Sequence, residues 1–296
     1  MSYDSVFRPG LFQGQTVIVT GGGSGIGRCT AHELSALGAR VVLVGRNVGK
    51  LDRVAAEVAE DGGAVDTQAF DIRDEGAVRD GIAAILARNG PVSGLVNNAG
   101  GQFPAKLEDI TANGWNAVVA TNLTGGFLVS REVYTQCMRD RGGSMVNIIA
   151  DMWRSMATMG HSGAARAGML NLTRTAAVEW AHSGVRVNAV APGWIASSGL
   201  DTYDAEGRAH MKTLRRFPAL RRYGTEAEVS AAIVFLLSPA AGFISGSCIR
   251  VDGAAPNMPV HLDLPDHDKS RPYEGFHRAE LPEVLREEAE GGGDAE

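Results

Sequence analysis

The chain has 296 residues, of which 44% are hydrophobic and 21% are charged, so it has enough apolar material for a large core. It carries 28 basic and 34 acidic residues, for a net charge of −6. Proteins that bind nucleic acids or anionic membranes need a dominant basic face, so we expect neither partner. Three widely spaced cysteines predict neither a disulfide framework nor a metal site. With no membrane-spanning apolar run and no signal-peptide core at the N-terminus, we expect a cytoplasmic protein.

Short apolar segments alternate with helix-like segments from Thr16 to about Val251. Seven of the apolar segments have the composition of strands: Thr16–Val19, Arg40–Val44, Val65–Phe70, Gly94–Asn97, Ser144–Ile149, Val185–Ala191 and Cys248–Val251. Alternation of this kind predicts parallel βαβ units with helices on both faces of the sheet. We therefore predict an α/β protein with a Rossmann-like, doubly wound, seven-stranded parallel sheet in a single domain, residues 1–254.

Two segments depart from this alternation. Ile195–Phe217 is polar and only weakly helical, which favours a lid over a site. Residues 255–296 form a C-terminal extension with a candidate acidic helix at Glu283–Glu290, and we expect its glycine-rich acidic end to be disordered.

A glycine-rich sequence, TGGGSGIG at residues 20–27, follows the first strand and opens the first helix. Glycines permit a tight turn and let the backbone approach a pyrophosphate, while the helix N-terminus supplies N–H donors. In this strand–turn–helix context the loop predicts a dinucleotide site. Its candidate cofactor-binding residues are Gly21, Ser24, Gly25, Ile26 and Gly27.

The end of the second strand indicates which dinucleotide is bound. An NAD site normally carries an acidic residue about 20 residues after the loop, to bind the ribose 2′-hydroxyl. Here the sequence reads Gly45-Arg46-Asn47, so the acid is absent and Arg46 is suited to a 2′-phosphate. We predict NADP(H) as the cofactor, with Arg28 as a weaker candidate for the same electrostatic field.

Later motifs occur in the order found in the short-chain dehydrogenase/reductase family, which the chain resembles from about Gly14 to Gly253. They include NNAG at residues 97–100, Thr121-Asn122 and NAVAPG at residues 188–193. The resemblance implies a homotetramer and a catalytic role for Asn122. It also implies further cofactor contacts, from Asp71, Ile72, Asn98, Ala99, Gly100, Pro192, Gly193 and Ile195.

Within that family the chain resembles peroxisomal trans-2-enoyl-CoA reductases and their bacterial relatives. The supporting sequences are PGLFQGQ at residues 9–15, NNAGGQF at 97–103, HSGAARAG at 161–168 and PDHD at 265–268. The last of these lies in the C-terminal extension. The resemblance implies an acyl-CoA-like substrate and a role in fatty acid metabolism.

The family's usual catalytic residues are a serine and a Tyr-x-x-x-Lys pair, and all three are replaced. Ser162 stands at the tyrosine position, Arg166 at the lysine position and Ala150 near the serine position. A serine hydroxyl is a poor acid near neutral pH, and arginine does not exchange its proton, so alcohol–ketone chemistry is disfavoured. Arg166 can still hold the cofactor ribose, as the family's lysine does.

Reduction of a carbon–carbon double bond conjugated to a thioester needs less acid catalysis than carbonyl reduction, because the enzyme mainly has to stabilise an enolate. We predict Asn122, Ser162 and Arg166 as the catalytic residues of an NADPH-dependent enoyl thioester reductase. Asp151 and His161 are candidate proton relays, or simply a solvated and a packed side chain. In the loop before the helix, Met152, Trp153, Met156 and Met159 either line an acyl-chain pocket or take part in ordinary packing.

Two other functions stay open from the sequence. One is an alcohol or aldehyde oxidoreductase acting on a terpenoid such as citronellol, suggested by bacterial relatives with similar helix motifs. The other is a catalytically weak protein that binds NADP but has lost turnover.

Overall fold

The computed structural model describes residues 2–202, 207–208, 211, 213–259, 261 and 264–286. Nine strands lie within these residues: β1 (Thr16–Thr20), β2 (Arg40–Gly45), β3 (Ala64–Ala69), β4 (Gly94–Asn97), β5 (Gly143–Ile148), β6 (Val185–Pro192), β7 (Ile195–Ala196), β8 (Gly224–Thr225) and β9 (Cys248–Val251). Seven of them form one parallel sheet in the order β3-β2-β1-β4-β5-β6-β9, and β7 pairs separately with β8. The predicted seven-stranded Rossmann-like sheet is confirmed, with strand ends within two residues of those expected.

The helices described alongside the sheet are α1 (Gly25–Ala36), α2 (Val48–Glu60), α3 (Glu75–Asn89), α4 (Ala112–Val119), α5 (Gly125–Val133), α6 (Arg139–Arg141), α7 (Gly160–Glu179) and α8 (Glu226–Leu237). Two π-helical turns, Ala120–Thr124 and Tyr134–Met138, join α4, α5 and α6 into one run. The Asn47 side chain begins α2 by accepting a hydrogen bond from the Lys50 N–H. None of the helices described here is both long and apolar enough to cross a membrane.

Alternate residues of the strands supply the two layers of the core. On β1, Val17 and Val19 pack with apolar residues of α1, α2 and α8, whereas Ile18 packs with apolar residues of α3, α5 and β2. Because successive strand side chains point to opposite faces, a strand covered by helices on both faces is apolar throughout. This explains why the strands read as continuous apolar runs.

The strand order changes direction between β1 and β4. The chain leaves β1 toward β2 on one side, and β4 lies on the other side of β1. In doubly wound sheets the connections diverge at such a point and leave a crevice at the carboxyl ends of the strands, where ligands bind.

The segment after β9 packs back onto the sheet domain. Phe276 is buried with Tyr3 and with Cys29 of α1, and Val284 packs against Leu200 and Leu214. The predicted lid holds β7 and two 3₁₀ turns, Ser198–Thr202 and Leu214–Arg216, while residues 203–206, 209–210 and 212 lie outside the described part. Residues 283–286 are helical, and the remainder of the predicted acidic helix and the C-terminal end also fall outside it. The boundary between domain and extension stays a prediction.

Candidate active site

A cleft of about 870 Å³ opens at the carboxyl edge of the sheet, where β1 and β4 diverge. Its volume is within the range of cofactor and small-molecule sites. Most of the predicted cofactor-binding residues line it: Gly21, Ser24, Gly25, Ile26, Arg46, Asp71, Ile72, Asn98, Ala99, Gly100, Arg166, Pro192 and Gly193. Gly27 and Ile195 do not. Gly27 packs behind the loop, and Ile195 pairs with β8 and is buried in the core.

The glycine loop leaves no room for side chains on its inner side. Gly21 has a φ of +65°, and a Cβ at Gly27 would lie 2.4 Å from the Gly21 carbonyl oxygen and 2.5 Å from Asn98 Nδ2. The Asn98 amide fixes the loop by donating to the carbonyl oxygens of Thr20 and Gly21 at 3.1 and 3.3 Å. The loop therefore presents bare backbone and the N-terminus of α1 to the cleft, which fits a pyrophosphate.

The predicted adenosine end of the cleft is rich in positive charge. Arg46 is 65% exposed, and its Nη1 lies 3.8 Å from Asp71 Oδ2. Arg73 donates to both Asp71 oxygens, and these hydrogen bonds lower the pKa of that carboxyl. Lys50, one turn into α2, also lines the cleft. Sequence reasoning missed Lys50 and Arg73, although both lie within four residues of positions it had singled out.

Arg28, the weaker of the two arginine candidates, does not line the cleft and is paired elsewhere. Its Nε donates to Glu57 Oε2 at 2.7 Å and its Nη1 to the Arg278 carbonyl oxygen at 3.1 Å. The side chain is 8% exposed and its guanidinium lies over the Phe276 ring. The C-terminal segment covers Arg28, which a local motif could not reveal.

Ser162 is fully buried at the start of α7 and is not part of the cleft wall. Its hydroxyl donates to Gln102 Oε1 at 2.6 Å, and its backbone N–H donates to His161 Nδ1 at 2.9 Å. Gln102 does line the cleft. The hydroxyl of Ser162 therefore contacts Gln102, a residue of the NNAGGQF segment that sequence reasoning had not singled out, and the predicted catalytic role of Ser162 stays a prediction.

Asn122 is buried in the π-helical turn between α4 and α5, a kind of distortion common at functional sites. Its Oδ1 accepts from the Gly101 N–H at 3.0 Å, and its Nδ2 donates to the Gly101 carbonyl oxygen at 2.8 Å. The amide thus fixes the backbone beside the cleft with its oxygen and one of its two N–H groups, and the predicted catalytic role of Asn122 stays a prediction.

Arg166 reaches the cleft from α7. Its Nη1 donates to the Ile148 carbonyl oxygen at 2.6 Å, and its Nη2 lies 2.5 Å from where a Cβ of Gly100 would be. Its Nε is buried without a hydrogen-bond partner, and no described carboxylate pairs with the guanidinium. Burial lowers the pKa of Arg166 to about 10, so it stays charged at neutral pH.

The other candidate groups lie outside the cleft wall. His161 is buried with its ring edge-on to Phe103, and its Nε2 has no described partner. Burial raises the pKa of Asp151, which lies near Arg250 and Asp252. Met152 packs into an apolar cluster beneath α7, and Trp153 stacks under Arg250. Ala150, at the family's serine position, does line the cleft.

The family model described as enoyl-(acyl carrier protein) reductase matches residues 21–254, the segment that carries the cleft. A probable 2,4-dienoyl-CoA reductase of Bacillus subtilis is 37% identical over 81% of this chain and 95% of its own length. The chain belongs to the short-chain dehydrogenase/reductase family. As a member of that family it is an oxidoreductase.

Two further relatives of this short-chain dehydrogenase/reductase differ in their named activities. The peroxisomal 2,4-dienoyl-CoA reductase of Danio rerio is 35% identical over 86% of this chain and 85% of its own. The solved structure of a citronellol catabolism dehydrogenase from Pseudomonas aeruginosa is 62% identical, with a TM-score of 0.78 over 86% of this chain and 99% of that one.

Members of the family bind a nicotinamide cofactor, and the residues of this cleft fit one. The loop at Gly21 and Gly27 is closed to any Cβ, so backbone is what a pyrophosphate would meet. The unpaired guanidinium of Arg166 reaches the cleft near the end of β5, where the family's lysine would hold the nicotinamide ribose.

Proposed function

We propose that the protein reduces an enoyl thioester, with the reacting double bond conjugated to the thioester carbonyl, and uses NADPH. The observation that carries the proposal is that Ser162 and Arg166, at the family's tyrosine and lysine positions, provide no acid for a carbonyl oxygen. The Ser162 hydroxyl is buried and already donates to Gln102, and no tyrosine lines the described part of the cleft. Nothing there matches the phenol that carbonyl reduction in this family uses as its acid.

The residues that remain suit an enolate better than an alkoxide. NADPH bound in the cleft would supply hydride to the β-carbon, and the negative charge would then develop on the carbonyl oxygen of the thioester. Arg166 offers a fixed positive charge beside that oxygen without having to release a proton. The α-carbon takes its proton from water, so the protein needs to stabilise negative charge and not to donate from oxygen.

The choice of NADPH rests on the adenosine end of the cleft. Arg46 and Lys50 flank the N-terminus of α2, and β2 ends in Gly45 instead of a carboxylate. A 2′-phosphate there would meet two cations and a helix N-terminus, all of which favour a dianion.

A second candidate function is oxidation of a terpenoid alcohol or reduction of its aldehyde. The observation in its favour is the 62% identity to a dehydrogenase named for citronellol catabolism. The loss of the phenolic acid and of the lysine stands against it, and the dienoyl-CoA reductase relatives favour the thioester.

One panel assay separates these functions. NADPH consumption is followed with crotonyl-CoA, decenoyl-CoA, simple ketones and citronellal, and NADP reduction is followed with citronellol. We expect the thioesters to be reduced fastest. Faster turnover of ketones, citronellal or citronellol would overturn the proposal, and NADPH binding without turnover of any of them would identify a cofactor-binding protein.

We also propose a homotetramer. The helices whose family counterparts form the usual interfaces carry exposed apolar side chains, Phe127 on α5 and Val178 on α7, which are 37% and 78% exposed. Light scattering at micromolar concentration is expected to give four times the chain mass, and a monomer would refute this.

A further inference from the structure

We infer that Arg73 makes the cleft selective for NADPH over NADH, because it pairs with Asp71 and so leaves Arg46 available to a 2′-phosphate. The inference deepens the proposed function and rests on its choice of cofactor. Arg73 follows the end of β3 and lines the predicted adenosine end of the cleft. It is a positioning residue, since it acts on the cofactor through Asp71.

Asp71 is the only acidic side chain among the described residues that line the cleft. Its Oδ2 lies 3.8 Å from Nη1 of Arg46, the cation proposed to bind the 2′-phosphate. A bare carboxylate in this place would oppose NADPH in two ways, because it would repel the phosphate and would also attract the guanidinium that the phosphate needs. A ribose 2′-hydroxyl is uncharged, so NADH would not meet the same opposition.

Arg73 holds the Asp71 carboxylate more closely than Arg46 does. Its Nη2 donates to Asp71 Oδ2 at 2.6 Å, and its Nε lies 3.0 and 3.1 Å from the two carboxylate oxygens. Arg46 comes no nearer than 3.8 Å to the same Oδ2, and 65% of its side chain is exposed, against 38% for Arg73. Charge-assisted guanidinium–carboxylate hydrogen bonds are strong and directional, so Asp71 is satisfied by Arg73 and Arg46 can turn toward an anion in the cleft.

The charge at this end of the cleft matches a phosphate only when Arg73 is included. Arg46, Lys50 and Arg73 are cations and Asp71 is an anion, which leaves a formal charge of +2. A phosphate monoester carries a charge of about −1.5 to −2 at neutral pH. Without Arg73 the formal charge would be +1, and Asp71 would compete with the phosphate for Arg46.

The turn that carries Arg73 does not depend on the arginine side chain. The Arg73 backbone N–H donates to Asp71 Oδ1 at 3.0 Å, and the Asp74 N–H donates to the Asp71 carbonyl oxygen at 3.1 Å. Asp74 then begins α3 by accepting a hydrogen bond from the Ala77 N–H. Arg73→Met therefore removes the guanidinium and retains the turn, and Asp71→Asn retains an oxygen that can accept from the Arg73 N–H.

Fluorescence titration of the full-length protein with NADPH and with NADH tests the inference. Arg73→Met is expected to weaken NADPH binding about tenfold and NADH binding less than about twofold, so the ratio of the two affinities falls. The same fall is expected for 2′,5′-ADP relative to 5′-AMP, which carry the phosphates without a nicotinamide. Arg79→Met is the matched control, because Arg79 pairs with Asp80 at 2.9 Å but does not line the cleft, and it should leave the ratio unchanged.

A second substitution at Asp71 separates action through this carboxylate from direct contact with the phosphate. Asp71→Asn alone should not lower the ratio of NADPH to NADH affinity. In the double variant with Arg73→Met the formal charge is again that of wild type, so the ratio should return to within about twofold of the wild-type ratio. Arg73→Lys keeps a positive charge beside Asp71 and should lower the ratio less than Arg73→Met does. Thermal melts establish that each variant is folded.

The outcomes distinguish this inference from the proposed function. If wild-type protein binds NADPH and NADH equally, the proposed cofactor and the inference are both overturned. If wild type prefers NADPH but Arg73→Met keeps that preference, or the double variant keeps the full loss, the inference alone is overturned. If NADPH is preferred and the rescue occurs, but no enoyl thioester is reduced, the inference stands and the proposed reaction is overturned.

Discussion

Arg28 is buried and Arg166 is largely buried beside the cleft, and the two arginines differ in what faces them. Arg28 meets the Glu57 carboxylate at 2.7 Å and the Arg278 carbonyl oxygen at 3.1 Å. Arg166 meets a single carbonyl oxygen, that of Ile148, and its Nε has no partner. Burying a charge is costly unless it is paired, so a buried cation left without an anion within the described structure is suited to negative charge from a ligand.

The surroundings of Arg28 extend this pairing into a network. Asp61 Oδ2 lies 2.8 Å from His277 Nε2 and 3.2 Å from His32 Nδ1, and Arg278 donates to both Asp61 oxygens. Burial alone would raise the pKa of Asp61, but the hydrogen bond from Arg278 and the charge of His277 lower it. The ligand atoms of His32, Asp61 and His277 lie within 4.8 Å of one another, yet the guanidinium on Asp61 disfavours a metal cation. This network holds the C-terminal segment onto α1 and α2.

The largest expected effects come from exchanging each arginine for methionine. Arg166→Met should lower kcat about 10²–10³-fold, because the negative charge that develops on substrate loses its cation. It should change the free energy of unfolding by less than about 1 kcal/mol, since a lost hydrogen bond is offset by relief from a buried unpaired charge. Steady-state kinetics and urea unfolding measure the two effects.

Arg28→Met is the matched partner and should behave in the opposite way. Removing it leaves the partly buried Glu57 without its main partner, at a cost of about 1–3 kcal/mol, while kcat stays within about twofold of wild type. If Arg28→Met abolished turnover in folded protein, or Arg166→Met unfolded the chain without affecting kcat, the distinction between the two regions would be lost.

The next largest expected effect is on cofactor choice, through Arg46 at the edge of the cleft. Replacing Arg46 with Asp should weaken NADPH binding about 10- to 100-fold, the loss of one or two charge-assisted hydrogen bonds, and should improve NADH binding. Arg53→Asp, on the solvent side of α2, is the control and should leave the ratio of the two affinities unchanged. Fluorescence titration of both dinucleotides provides the measurement. Equal use of NADPH and NADH by wild-type protein would contradict the proposed cofactor.

The two regions also differ in how far the sequence could predict them. The glycine loop and Arg46 were found from local spacing, because a strand, a tight turn and a helix N-terminus are all encoded within a few neighbouring residues. The hydrogen bond from Ser162 to Gln102 spans 60 residues, and the cover over Arg28 comes from a segment 250 residues away. Which group a buried amide, hydroxyl or guanidinium meets depends on tertiary packing. For this reason the sequence pointed to Asn122, Ser162 and Arg28 but could not predict which groups their side chains contact.

The smallest expected effect lies at Glu226, between the two regions. A Cβ at Gly25 of the loop would lie 3.8 Å from Glu226 Oε1, and the charges of Arg28 and Glu280 also act on this carboxyl. Burial raises its pKa from 4.5 to about 7. A carboxyl whose folded-state pKa is raised contributes stability that is fully present below pH 4.5 and is lost as the pH rises through 7.

Glu226→Gln keeps the neutral form at every pH, so the variant should match wild type near pH 4 and be more stable at pH 8, by on the order of 2 kcal/mol. Glu228→Gln is the control on the same helix. Burial would raise the pKa of Glu228, but its hydrogen bonds with Arg222 lower it, so this substitution should destabilise the protein at pH 8. The destabilisation should shrink as the pH falls below 4.5, since the ion pair is lost in wild type as well. Thermal melts between pH 4 and 8 test both signs. Parallel curves for Glu226→Gln and wild type would mean that this carboxyl has the same pKa in the folded and the unfolded chain, which would contradict a pKa raised by burial.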